Sequence, residues 1–325
     1  SGVVEVINRN QESINKKAGE EINIKYVLDL RDFPGDPIQE KIVHDFDVIL
    51  NDPEIKIVVE VMGGVEPAYT FTKKALLAGK SVCTSNKELV ARHGAELLEI
   101  ARERNINYLF EASCGGGIPI IRALNSSLTA DEIDEITGIL NGTTNYMMYK
   151  MSTEGCEFDD VLKEAQAKGY AEADPTADVE GLDAGRKVAI LASIAFHSRV
   201  VFKDVYTEGI TKISSRDIAY AKEFGNIIKL LGVAHNTEDG IEVGVYPMMI
   251  SQNHPLASVR DSFNAVFVHG DAVGDVMFYG RGAGEFPTAS AVVGDVIDVV
   301  RDTQYHCTGR ISCTCYRTTP VKDFK

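Results

Sequence analysis

From the first residue to about residue 113, apolar positions switch repeatedly between the helical and the strand period. Val4, Ile7 and Ile14 recur at helical intervals in SGVVEVINRNQESINKKAG, and Gly19 closes the segment, which predicts a helix. INIKYVLDL (22–30) and EIKIVVEVM (54–62) are β-branched runs that predict strands. EPAYTFTKKALLAGK (66–80), with Pro67 just inside and Gly79 at its end, predicts a helix. SVCTS (81–85) predicts a short buried strand, KELVARHGAELLEIARERN (87–105) a helix and INYLFEAS (106–113) another strand. Continuous apolar strands alternating with helices predict a parallel sheet covered on both faces, a doubly wound (Rossmann-type) α/β unit.

The rhythm then changes. Segments 131–142, 226–237, 241–251 and 264–280 are strand-like and joined partly by Gly, Asn or Asp turns. Helical patterns cover 157–168, 178–197 and 214–224, and an amphipathic helix covers 288–302. This predicts an α+β second domain with a mostly antiparallel sheet, the last helix packing back on the first domain. At 325 residues the chain exceeds the size at which one core usually stops growing, in agreement with two domains.

A doubly wound nucleotide unit normally opens with a strand, a G-x-G-x-x-G turn and a helix whose N-terminus receives the pyrophosphate. Here Ser1 and Gly2 lead directly into the helix, so the unit is read as lacking its first strand and Gly-rich turn. The alternative is a fold that begins with a helix. LDLRDFPG places Asp29, Arg31 and Asp32 where a ribose-reading residue belongs. Asp29 favours NAD and Arg31 the 2′-phosphate of NADP, so either dinucleotide is expected.

The net charge of −15, with no cluster of Lys and Arg, argues against nucleic acid and against acidic membranes. The longest uncharged apolar run, VAILASIAF, is too short to span a bilayer. Cys83, Cys114, Cys156, Cys307, Cys313 and Cys315 show no framework spacing, and no signal peptide is recognisable, which predicts a cytoplasmic protein. His306 with Cys307, Cys313 and Cys315 resembles a zinc set, but C-x-C lacks the usual knuckle spacing, so a linker with incidental thiols is expected.

Charge concentrates where it is least expected. GYAEADPTADVEGLDAGRK (169–187) holds five acids and two bases and runs straight into VAILASIAF. Helical spacing places Asp183 and Lys187 on one face, four apart, at the start of a helix that turns apolar. Glu172, Asp183 and Lys187 supply acceptors for an ammonium group and a cation for developing alkoxide charge. The competing reading is a surface ion pair. Lys87, in TSNKELVA (84–91), stands at a strand-to-helix junction, the edge where such sheets bind ligands. Two glycine-rich stretches, FEASCGGGIPII (110–121) and YGRGAGEFPTASAV (279–292), permit close backbone approach to a ligand or a tight crossover.

Together these segments resemble homoserine dehydrogenase. AQAKGYAEADPTADVEGLDAGRK (165–187) is similar to that family's signature at Ala165, Gly169, Asp174, Pro175, Asp178, Gly181, Asp183 and Lys187. VMGG (61–64), TSNKELVA, EASCGGGIPI, GILNGTTNYM (138–147) and GAGEFPTASAVVGDV (282–296) follow in the family's order. The resemblance implies interconversion of aspartate 4-semialdehyde and L-homoserine with NAD(P)H or NAD(P)⁺, in the synthesis of threonine, methionine and isoleucine from aspartate.

It further implies roles position by position. Lys187 matches the general acid, Asp183 the residue that orients substrate, Glu172 the ammonium contact, and Lys87 a lysine bridging cofactor and substrate. Met62, Gly63 and Ser85 match dinucleotide contacts, and Gly282 and Gly284 lie near the nicotinamide end. Glu111, with the carbonyls of Cys114, Gly116 and Ile118, matches a structural Na⁺ site. Residues 1–113 and 286–302 are then the dinucleotide-binding domain and 114–285 the substrate-binding and dimerisation domain. Residues 303–325 are a linker with no regulatory domain, and a homodimer or higher homo-oligomer is implied. Two rivals stay open: another amino-acid dehydrogenase of the same sheet type, and a truncated, catalytically impaired chain or sensor that binds substrate and dimerises without holding cofactor.

Overall fold

A computed structural model describes residues 2–308, 311 and 319–323. Helix α1 (Gly2–Ala18) buries Ile7, Ile14 and Ala18 on one face, as their spacing predicts. Strand β1 (Val27–Leu28) pairs in parallel with β2 (Ile42–Val43). The expected run over 22–30 shrinks to two residues because only Val27 and Leu28 find partners, in Ile42 and Val43. After α2 (Phe46–Asn51) come β3 (Ile57–Glu60), α3 (Ala68–Leu77), β4 (Ser81–Thr84), α4 (Lys87–Glu103) and β5 (Tyr108–Leu109). These last three strands form a parallel sheet with β4, buried throughout, at its centre. Asn86 starts α4 by accepting from the Leu89 N–H at 3.0 Å, so Lys87 is the first helical residue at the carboxyl edge of the sheet.

The second half begins with α5 (Ile120–Arg122), which runs on as a π turn to Ser127. It continues through β6 (Ile133–Ile139), α6 (Gly142–Glu154), α7 (Phe158–Ala167), α8 (Thr176–Val179), α9 (Leu182–Ala195) and β7 (Tyr206–Thr207). Next come α10 (Ser215–Glu223), β8 (Asn226–Thr237), β9 (Gly240–Ser251), β10 (Phe263–Gly270), β11 (Gly274–Arg281) and α11 (Glu285–Gln304). Six strands form a mixed sheet in the order β11-β10-β6-β8-β9-β7, antiparallel except where β7 meets β9. Helices α6 and α9 cover one face. On the other, Leu231, Val233, Ala265 and Phe267 pack with Tyr246, Met248, Ile250 and Phe263, while Met277 and Tyr279 are exposed.

Two expectations change. The helix expected over 178–197 is broken at Gly181, whose φ of 78° is left-handed; Asp178 ends up on α8 and Asp183 on α9. The strand-like run 264–280 is a hairpin, β10 and β11, turning just before Gly274.

Helix α11 returns to the first sheet and runs parallel to α1. Gly2 abuts Glu285 at one end, where an added Cβ would lie 2.7 Å from Glu285 Cγ. At the other end Arg301 Nε donates to the Lys17 carbonyl at 2.7 Å. Asn107, just before β5, donates to Asp302, and the Glu111 N–H, just after it, donates to Asp295 at 2.9 Å. Helix α11 therefore runs against β5, and its N-terminus and that of α1 share the carboxyl edge, where sheets of this kind bind ligands. Val321 bridges to Ile241 beside the Lys322–Glu242 ion pair, so the segment 319–323 lies along β9. Of the tail cysteines, Cys313 and Cys315 lie outside the described residues, and Cys307 is exposed. No helix among the described residues is long and apolar enough to cross a membrane.

Lys229 on β8 is 1% exposed, and its ammonium donates to Asn145 Oδ1 at 2.8 Å and the Val259 carbonyl at 2.6 Å. No carboxylate pairs with it among the described residues, and burial lowers its proton affinity from the ordinary 10.5 to about 8. Between those values the unfolded chain holds a proton that the folded chain has released, so stability rises as pH climbs through that window. Lys229→Met removes this contribution, and the stability gap between wild type and variant should shift by up to about 3 kcal/mol from pH ~8 to ~10.5. Urea melts at three pH values across the window read it; parallel pH slopes in the two proteins would refute the assignment.

Candidate active site

The acidic stretch turns inward. At the start of α9, Asp183 and Lys187 are 4% and 7% exposed, which rules out a surface ion pair. Lys187 Nζ donates to Asp183 Oδ2 at 2.7 Å and to the Leu140 carbonyl, at the end of β6, at 2.8 Å. The other carboxylate oxygen, Oδ1, pairs with Lys87, reaching across from α4. Arg186 and Glu88, 3.2 Å apart, pair alongside and reinforce the α4–α9 contact. One carboxylate thus lies between two lysines carried by the two sheet units.

Asn141 completes the cluster. It caps α6 by accepting from the Thr144 N–H at 2.9 Å, and its Nδ2 donates to Asp178 at 2.7 Å and Asp183 at 2.9 Å. Thr143, next on α6, donates to the Tyr170 carbonyl at 2.6 Å and so fixes the loop that leads to Glu172. Burial works against the Asp183 carboxylate, but Lys187 and Lys87 overcome it and hold the carboxyl far below its usual range. Desolvation lowers the proton affinity of Lys87, yet the charge and hydrogen bond of Asp183, with the charge of Asp178, raise it overall. Burial raises Asp178 against the hydrogen bond from Asn141.

The other expected residues fall around this centre. Glu172 is exposed, and its carboxylate makes no hydrogen bond or ion pair among the described residues. Cys114 packs beneath α9, its thiol donating to the Lys187 carbonyl at 3.7 Å, and burial pushes it up to about 12. Gly116 touches Gly282: a Cβ on Gly116 would lie 2.6 Å from the Gly282 carbonyl. Both Glu111 oxygens accept main-chain N–H groups at the start of α5, from Ile121 at 3.0 Å and Arg122 at 2.6 Å, and burial pushes the carboxyl up to about 6. Among the described residues no three His, Cys, Asp or Glu side chains are grouped to hold a metal; the Na⁺ expectation rests on carbonyls around Gly116.

At the carboxyl edge of the parallel sheet, Met62 and Gly63 follow β3 and Ser85 follows β4. A side chain at Gly63 would meet nothing within 4 Å, which leaves room for a ligand to approach the main chain. Arg31 grips Asp29 through two hydrogen bonds of 2.9 and 3.0 Å, so the acid that would favour NAD and the base that would favour NADP partner each other. Open glycine backbone, two helix N-termini and a strand-end acid with its base suit a dinucleotide.

In the sequence Asn141 and Asp178 stand only as positions within family segments, without a role, and Glu60 only as part of a strand-like run. Asn141-Gly142 reads as a turn, although its spacing to Thr144 fits an N-cap.

A parallel nucleotide-type sheet docked on a mixed-sheet unit, with Asp183 and Lys187 buried at their junction and Lys87 reaching them from the other unit, fits a nicotinamide-dependent oxidoreductase. Residues 1–111 match the family model described as the NAD binding domain of homoserine dehydrogenase, and residues 119–297 match the model for homoserine dehydrogenase itself. The homoserine dehydrogenase of Bacillus subtilis is 45% identical over 95% of this chain and 72% of its own length. The solved homoserine dehydrogenase of Thiobacillus denitrificans superposes with a TM-score of 0.94 at 43% identity, over 99% of this chain and 76% of that one. A hyperthermophilic archaeal homoserine dehydrogenase, solved in complex with NADPH, superposes with a TM-score of 0.77 at 26% identity, over 92% of this chain and 93% of that one. The chain belongs to the homoserine dehydrogenase family, an NAD(P)-dependent oxidoreductase family. Relatives matched across both units carry the enzyme's name, which favours the enzyme over the sensor.

Proposed function

We propose that Lys187 donates the proton in the reduction of aspartate 4-semialdehyde to L-homoserine, with Lys87 and Asp183 fixing its charge environment. The observation that carries this reading is the Lys187–Asp183–Lys87 cluster at the junction of the two units, in which Asp183 and Lys187 are buried. NAD(P)H, when bound, supplies the hydride. Met62, Gly63, Ser85, Lys87, Gly282 and Gly284 would hold the dinucleotide, and the Asp29–Arg31 pair would meet its ribose, accepting NAD or NADP. The pair opens for a 2′-phosphate, and Asp29 accepts from a free hydroxyl.

As negative charge grows on the aldehyde oxygen, the Lys187 ammonium stabilises it and passes a proton to it. Two of its three hydrogens are committed to Asp183 and Leu140, which aims the third. Lys87, whose proton affinity is raised, acts as a fixed cation. Glu172, exposed and with a carboxylate that is unpaired among the described residues, receives the substrate ammonium. A structural Na⁺ at Glu111 and the carbonyls of Cys114, Gly116 and Ile118 belongs to the same reading; replacing buffer Na⁺ with choline tests it. A second copy of the chain would cover the face carrying Met277 and Tyr279, and the free thiols of Cys83, Cys114, Cys156 and Cys307 suit a reducing compartment such as the cytoplasm.

Assaying oxidation of L-homoserine and of L-aspartate with NADP⁺ and with NAD⁺ tests the reading. Turnover of homoserine alone, with both cofactors, is the expected outcome, and the molar mass of the same preparation should be that of a dimer. Turnover of aspartate would move the chain to another dehydrogenase class.

A further inference from the structure

Parallel strands buried on both faces are ordinarily apolar along their length, as Ile57, Val58 and Val59 are in β3. The strand nevertheless ends on a carboxylate: Glu60 is 3% exposed, and no cation pairs with it among the described residues. Its surroundings explain what it holds. Oε1 accepts from the Met62 N–H at 2.7 Å, and Oε2 accepts from the Thr84 hydroxyl, at the end of the neighbouring strand, at 2.5 Å. The same Thr84 oxygen accepts from the Asn86 N–H at 2.9 Å, and Asn86 Nδ2 donates to the Gly64 carbonyl at 2.6 Å. The ring closes through the main chain, where the Ser85 N–H meets the Glu60 carbonyl at 3.3 Å.

We propose that Glu60 is a positioning residue for the dinucleotide, tying the turn after β3, at Met62–Gly64, to the turn after β4, at Ser85–Lys87. This rests on the reading of those two turns as the cofactor's contacts. A valine at position 60 would fill the space but leave the Met62 N–H and the Thr84 hydroxyl without their acceptor. Burial raises the carboxyl's proton affinity, and hydrogen bonds from Thr84, Met62 and Asn86 act against that rise, the pattern of a carboxylate kept for its donors. Glutamine keeps an acceptor oxygen for Met62 and can turn its amide toward the Thr84 oxygen, so it should preserve most of the tie.

The test is a fluorescence titration of the full chain with NADPH, alongside KM for aspartate semialdehyde at saturating NADPH. Glu60→Ala should weaken NADPH at least tenfold, leave the semialdehyde KM within about twofold, and be largely restored in Glu60→Gln. A change in NADPH affinity below threefold, or equal changes in the two constants, overturns the proposal in favour of a purely structural acid. Should the alanine variant not fold, Thr84→Val cuts the same tie without changing side-chain shape and must show the same split. Gly63→Val is the control on the underlying reading, since a side chain there meets no protein atom. If it too binds NADPH normally, the assignment of the turns fails; if it alone loses affinity, only the role of Glu60 fails.

Discussion

Lys187→Ala is expected to lower kcat for semialdehyde reduction by roughly a hundred- to ten-thousand-fold, the range for loss of a positioned proton donor. KM for the semialdehyde should change by only a few-fold, because the alkoxide charge that Lys187 meets exists only as hydride arrives. kcat and kcat/KM should therefore fall together. Lys87→Ala is the comparison: this half-exposed lysine contacts Asp183 from the other unit, and its loss should raise KM as well as lower kcat. Steady-state kinetics on both variants decide between them. An unchanged kcat for Lys187→Ala would remove it from the chemistry and pass the proton to Lys87.

Asp183→Ala should be the costlier change for the fold. It strips the shared counter-ion from two lysines, one of them buried, and removing one partner of a buried pair costs about 3–5 kcal/mol. The folded-state carboxyl titrates far below its unfolded value. Its stabilisation is therefore present at every pH above the ordinary carboxylate range and is lost only as pH falls below it. Wild type and variant should differ by a constant amount between pH ~6 and ~8 and converge in acid. In Asp183→Asn the shape persists, but the Lys187 and Lys87 ammonium groups lose the carboxylate they share. The kcat of this variant should fall although the fold persists; an unchanged kcat would mean that Asp183 does not position the donor.

The sequence made the β3–β4–β5 sheet legible because apolar runs and helix stops alternate from residue 54 onward, whereas β2 and α2 carry no such pattern. The inner segments of the second unit were less so. Helix α6 went unseen as a helix because Thr143 to Met148 and Met151 are all buried, which erases the one-sided stripe that marks a helix. The acidic signature placed Asp183 and Lys187 correctly four apart, but the same helical spacing, carried back through Gly181, put Asp178 on the wrong helix. Lys87 stands out in the sequence by its strand-to-helix junction and by the family resemblance. That it would meet Asp183 depends on how α4 packs against α9, and no local spacing encodes a contact between residues so far apart in the chain. Glu60 was hidden for the opposite reason, since a lone acid closing an apolar run looks like a strand leaving the core.

The parallel docking of α1 and α11 has a consequence for synthesis. Ile7 and Ile14 pack with Val293, beside Ile297, so the apolar face of α1 is completed by residues of α11, far later in the sequence. At translation rates of about 5–20 residues per second, roughly a quarter of a minute to a minute separates the emergence of the two helices from the ribosome. During that interval the whole second unit can collapse on its own sheet while α1 still shows an unpaired apolar stripe. Nascent chains should therefore be most vulnerable to proteolysis and to chaperone capture around α1, and slower translation would lengthen that exposure.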